Sequence, residues 1–169
     1  MFEDLADRAF NYVEKVNEAL GVWYGINDVE LKISPDRVCI IEQNGRMPGA
    51  LVPKMIEACT DINCYDLALD IYLGRISQPV HQVVFKKHFC ICCLISNESG
   101  VVFNVEGVEE VRGLASFHMM NLYATAGEHV EMTSDFLSSW GVVYLVHENL
   151  EILKSDSEFV HEKLCLQYC

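Results

Sequence analysis

The sequence predicts an α+β domain, an antiparallel sheet with flanking helices, and three observations carry that prediction. Hydrophobic period switches along the chain, from helical recurrence over residues 2–20 to alternation over 29–33 and back again. Short β-rich runs are separated by the turn tetrapeptides SPDR and NESG, whose Ser, Pro, Asp, Asn and Gly residues favour tight reversals. The resulting order, α, ββ, αα, ββ, α, ββ, α, fits an α+β domain with an antiparallel sheet. At 169 residues the chain is long enough to bury a core without disulfides or metal, and residues 1–169 read as a single globular domain.

The elements follow in order. Phe2, Leu5, Ala9, Val13, Val16 and Leu20 recur on one helical face, and Gly21 supplies the stop. Val29, Leu31 and Ile33 alternate with Glu30 and Lys32, SPDR turns the chain, and VCII returns before QNG, which predicts a hairpin. GALVPKMIEAC predicts a short helix with Pro53 near its start, where a missing N–H is tolerated. NCYDLALDIYLG predicts another, with Asp61 as N-cap and Gly74 as stop. From Pro79 the period changes. HQVVFKKHFCICCLIS and VVFNVEG, joined by NESG, predict a buried hairpin at the centre of the sheet. Val111, Leu114, Ala115, His118 and Leu122 restore helical spacing until Gly127, so that Phe117, Met119 and Met120 read as helix packing. EHVEMT and WGVVYLVHE predict two further strands, and a final helix begins near Asp156.

Composition narrows the function classes. The formal charge is −13, from 25 acidic against 12 basic residues scattered along the chain, which disfavours nucleic acid and anionic membrane as partners and favours a basic protein. The opening MFEDLADRAF carries acids where a secretory signal is basic, and no apolar run reaches the roughly 18 residues of a membrane helix. Eight cysteines lie mostly within apolar periods, so free thiols in a reducing, cytoplasmic setting are expected.

Three residues form the candidate catalytic set. Cys64 falls in the first turn of its helix, where unpaired N–H groups and the helix dipole favour a thiolate, although Cys64, Leu67, Ala68 and Ile71 also share one apolar face. A nucleophilic thiol needs a base and a group that orients the base. His88 heads one strand of the expected hairpin and Asn104 ends the next, an arrangement that sets the two side by side in an antiparallel pair. His129, with Glu148 or Asn149 as its orienting group, is the alternative base.

DINCYDLAL resembles the segment around the nucleophile of viral papain-like cysteine proteases of the coronavirus and nidovirus type, and HFCICCLISNESGVVFN is similar to their histidine hairpin. The resemblance implies a compact papain-like arrangement and a Cys-His-Asn site in which Cys64 is nucleophile, His88 base and Asn104 orienter. Asn63 or the backbone N–H of Cys64 would then contribute to an oxyanion hole. It further implies a thiol protease or deubiquitinase, with a ubiquitin-like tail as partner. The 23 residues between Cys64 and His88 are fewer than that family places there, and the tryptophan it carries ahead of the nucleophile is missing. The competing expectation is a non-enzymatic acidic viral accessory protein that binds a host protein.

No cofactor is expected. Cys90, Cys92 and Cys93 resemble part of a metal site, but alternation sends Cys92 and Cys93 to opposite faces of one strand, and no second C-x-x-C or H-x-x-x-H supplies the remaining zinc ligands. RMPGA and SNESG read as short turns, which leaves nucleotide binding unsupported. His81, His147 and His161 have no partner identifiable from sequence.

Overall fold

The computed structural model describes residues 2–76 and 83–169, with side chains from Leu5 onward; Pro79 and His81, where the sequence places the change of period and an unassigned histidine, lie outside the described residues. The chain divides into two compact units, residues 1–57 with 62–83 and residues 58–61 with 84–169.

The first unit is a hairpin with helices. Helix α1 (Phe2–Leu20) is followed by β1 (Asp28–Ile33) and β2 (Val38–Asn44), which pair antiparallel around the SPDR turn as the alternation predicts. Between Glu30 and Leu31 the register shifts, so that Glu30 faces Glu42 while Leu31 faces Ile40. Polar side chains fasten α1 to the hairpin. The Tyr12 hydroxyl accepts from the Ile40 N–H at 3.3 Å, and Gln43 Nε2 donates to Asn17 Oδ1 at 2.6 Å. Helix α2 (Val52–Cys59), whose last two residues are counted with the second unit, begins with Pro53 in its first turn. Helix α3 (Cys64–Tyr72) is capped by Asn63, whose Oδ1 accepts from the N–H groups of Tyr65 and Asp66. Asn63 therefore takes the role that the sequence assigns to Asp61.

The second unit contains two three-stranded antiparallel sheets. One has the order β3 (His88–Leu94), β7 (Gly141–His147), β5 (Phe117–Leu122); the other has β6 (His129–Val130), β4 (Gly100–Glu106), β8 (Cys165–Tyr168). The expected hairpin of β3 and β4 does not form. NESG reverses the chain, but β3 pairs with β7, and the fully buried run from Gly141 to Leu145 makes β7 the central strand. Length and apolarity of a strand specify that it is buried without specifying its neighbour.

Three other elements differ from their sequence readings. The helix expected across Val111–Leu122 is a five-residue helix, α4 (Val108–Arg112), followed by strand β5, because pairing with β7 outweighs the helical spacing. The strand expected over EHVEMT is only the two residues of β6. The last helix, α5 (Leu150–Lys163), starts six residues before Asp156 under an Asn149 cap, and the chain closes with β8 instead of that helix. The core of this unit gathers Leu94, Val102, Val111, Val143, Leu145 and Val160 from both sheets, α4 and α5. Ser116, fully buried, is held by Asp156 Oδ2, which accepts from its hydroxyl at 2.7 Å and its N–H at 3.1 Å. Among the described residues no helix is long and apolar enough to cross a membrane.

Candidate functional site

The three residues of the expected catalytic set are not assembled by the pairing that the sequence suggested. Cys64 opens α3 in the first unit, while His88 and Asn104 belong to the second. His88 lies opposite His147, and Asn104 lies opposite Gln167 in the other sheet, so the hairpin that was to bring imidazole and amide together is absent. Burial pushes the Cys64 thiol above its ordinary range, and the Glu57 carboxylate adds to the shift. That is opposite to what a nucleophilic thiolate needs. Asn63 caps α3 and donates its amide to Glu57 at 3.0 Å, which accounts for the Asn-Cys pair as a helix start. His129, the alternative base, lies 3.6 Å from Glu131; the Nδ1 of His147 accepts from the Asn149 N–H.

A different group of side chains is assembled on the hairpin of the first unit. Because side chains alternate along a strand, Gln43 and Val29 face α1, and Asp28, Glu30, Glu42 and Asn44 share the opposite face. Glu30 is directly across from Glu42, and Asp28 is directly across from Asn44. The Asn44 amide donates to Glu42 Oε1 at 2.6 Å. Arg46, two residues past the strand, reaches Asp28 Oδ2 at 3.2 Å and the Met47 carbonyl at 2.9 Å, with its side chain 58% exposed. The loop that follows carries Ala50 and Leu51, both at positive φ (50° and 57°). Two consecutive non-glycine residues in the left-handed region store strain, a feature that gathers at functional sites.

The donor set fits a hard cation that also binds phosphate. Carboxylate and amide oxygens suit Mg²⁺, which takes one or two protein carboxylates and completes its shell with water and phosphate. Among the described residues no group of three or more His, Cys, Asp or Glu is drawn together tightly enough to hold a metal by itself. The face therefore suits a cation shared with a ligand better than an enclosed protein cage. Sequence reading passed over these residues: Glu30 appeared only as the polar half of an alternation, QNG as a strand end and RMPGA as a turn. The available signal was the run Glu42-x-Asn44-x-Arg46, which places a carboxylate and an amide on one strand face with a guanidinium just beyond it.

No protein-family model and no curated protein matches the sequence. The fold is similar to those of a solved ligase and two solved synthetases. An L-amino acid ligase from Bacillus licheniformis matches with a TM-score of 0.76 at 20% identity, over 94% of this chain and 40% of that one. Phosphoribosylglycinamide synthetase from Anaerococcus prevotii matches with a TM-score of 0.78 at 16% identity, over 99% of this chain and 43% of that one. N5-carboxyaminoimidazole ribonucleotide synthetase from Thermotoga maritima matches with a TM-score of 0.65 at 14% identity, over 99% and 43%. The chain thus spans about two-fifths of the length of these structures.

These likenesses overturn the papain-like reading: neither the viral protease family, nor its compact arrangement, nor a thiol hydrolase or deubiquitinase describes this fold. The viral accessory-protein alternative is likewise without support. The resemblance rested on nine residues around a capped helix and on a hairpin pattern that any buried antiparallel pair produces. The expectation of a ubiquitin-like partner came with that resemblance and with the acidic charge of the chain.

Proposed function

We propose that this chain supplies the metal- and phosphate-handling face of an ATP-dependent ligase. The observation that carries the proposal is the contact of Glu42 with Asn44 on the free face of the β1–β2 hairpin, with Glu30 opposite and Arg46 beyond, in a fold shared with ATP-grasp ligases. When bound with Mg²⁺, ATP supplies the phosphoryl group and the driving force for joining two substrates.

The residues of the chain divide the work by charge. Glu30 and Glu42 with the Asn44 side-chain oxygen hold the cation, since all three are hard oxygen donors on one face. Without a cation, the carboxylates of Asp28, Glu30 and Glu42 would repel a triphosphate, so this face admits nucleotide only with its metal. Arg46 offers a planar guanidinium to phosphate oxygens, and Asp28 holds it in place until they arrive. The strained Ala50–Leu51 turn fixes the path of the loop between Arg46 and α2.

The test is a titration with Mn²⁺ as a paramagnetic stand-in for Mg²⁺, with and without a non-hydrolysable ATP analogue. Saturable Mn²⁺ binding that tightens with the analogue, and that falls by about tenfold or more in Glu42→Gln, supports the proposal. Binding unchanged in Glu42→Gln overturns it.

A further inference from the structure

We infer that the first unit carries a second binding site, on the α1 side of the hairpin, for an organic cation bearing a guanidinium or ammonium group. A cavity of about 510 Å³ opens there, lined by Glu14, Asn17 and Glu18 from α1, by Trp23 and Tyr24 from the loop that follows, and by Asn27. Its apolar wall includes Ile71 and Ile76.

Three features select a cation. Glu14 and Glu18 are four residues apart on α1, so their carboxylates stand on one helical face as a like-charge pair, and among the described residues neither is ion-paired. None of the described residues lining the cavity is basic. Trp23 and Tyr24 are 76% and 54% exposed, which leaves aromatic faces open to a cation, and a planar guanidinium suits them especially well.

Gln43 donates to the side-chain oxygens of both Asn17 and Asn27, at 2.6 and 3.4 Å, and so orients the two amides that line the cavity. With the Asn17 and Asn27 oxygens engaged by Gln43, the charged head of the ligand is met by Glu14 and Glu18. The aliphatic stem of such a ligand lies against the Ile71 and Ile76 wall. Gln43 faces α1 while Glu42 and Asn44 face away, so this site is separate from the proposed phosphate face and does not rest on it.

The experiment is a titration of the whole chain with arginine at constant ionic strength, read by tryptophan fluorescence. Trp23 is exposed and Trp140 only 3% exposed, so Trp23 dominates any change caused by a small solute. Citrulline, isosteric but neutral at its head group, is the control. The expected result is saturable quenching by arginine, at least about tenfold weaker with citrulline, and a similar loss in the Glu14→Gln/Glu18→Gln double variant. Both glutamates are exposed, and removing the like-charge pair leaves α1 intact, as circular dichroism would confirm. A capped arginine peptide forms the second arm: tighter binding than free arginine assigns the cation to a protein partner, and weaker binding assigns it to a free metabolite. No saturable arginine binding up to about 10 mM, equal binding of citrulline, or full affinity in the double variant overturns the inference.

Discussion

Alanine at Gly107 tests how tightly the second unit is closed. Gly107 lies between β4 and α4 at φ 82°, and a Cβ built there would meet the Lys163 carbonyl oxygen at 2.3 Å and its carbon at 2.7 Å. Two costs add. An alanine in the left-handed region costs about 1 kcal/mol relative to glycine. The clash is with backbone at the end of α5, which cannot rotate away as a flexible side chain would, and relieving it adds about 2 kcal/mol or more. Gly127 separates the two terms, because its φ is 90° but nothing lies within 4 Å of its Cβ. Urea unfolding followed by the fluorescence of the buried Trp140 is the assay. With a slope of about 2 kcal/mol per molar urea, Gly107→Ala lowers the midpoint by about 1.5 M and Gly127→Ala by about 0.5 M. Equal shifts for the two variants would refute the close approach of Gly107 to α5.

Three other outcomes are expected. Leu145→Ala, at a fully buried position on the central strand β7, costs about 3 kcal/mol through lost burial and a residual cavity, measured by the same urea titration. Asn149→Ala removes the acceptor for the Glu151 and Ile152 N–H groups and destabilises α5 by about 1 kcal/mol, visible as a lower melting temperature. Cys90 lies 3.7 Å from Cys92 sulfur to sulfur, and the Cys92 thiol donating to it holds Cys90 below the ordinary thiol range while Cys92 itself is held above. Cys92→Ala removes that donor, so the pH midpoint of Cys90 alkylation moves upward; a midpoint that does not move contradicts the pairing.

The parts of the fold legible in the sequence are those set by local signals. Helix α1 with its Gly21 stop, the SPDR hairpin and Pro53 in the first turn of α2 all follow from residues within a few positions of one another, while α3 forms where expected but under Asn63 and not Asp61. Pairing between distant segments was not legible: HFCICCLI is as good a partner for VVFNV as for GVVYLV, and only the assembled core selects β7. The residues FHMMNL carry helical spacing and become a strand for the same reason. The candidate face on the hairpin was readable in principle, since Glu42 and Asn44 are two apart on a strand. Hard-oxygen donors on a strand face resemble ordinary solvent-facing residues, whereas a cysteine at a helix start such as Cys64 carries a distinct chemical signal.

A crystal of the chain grown with Mn²⁺ and a non-hydrolysable ATP analogue tests the central claim most directly. The account places an anomalous metal peak within about 2.0–2.3 Å of Glu42 and the Asn44 side-chain oxygen, with phosphate oxygens completing its shell and Arg46 turned from Asp28 onto phosphate. A metal and nucleotide bound elsewhere on the chain, with the Asp28, Glu30, Glu42 and Asn44 face bare, would contradict it.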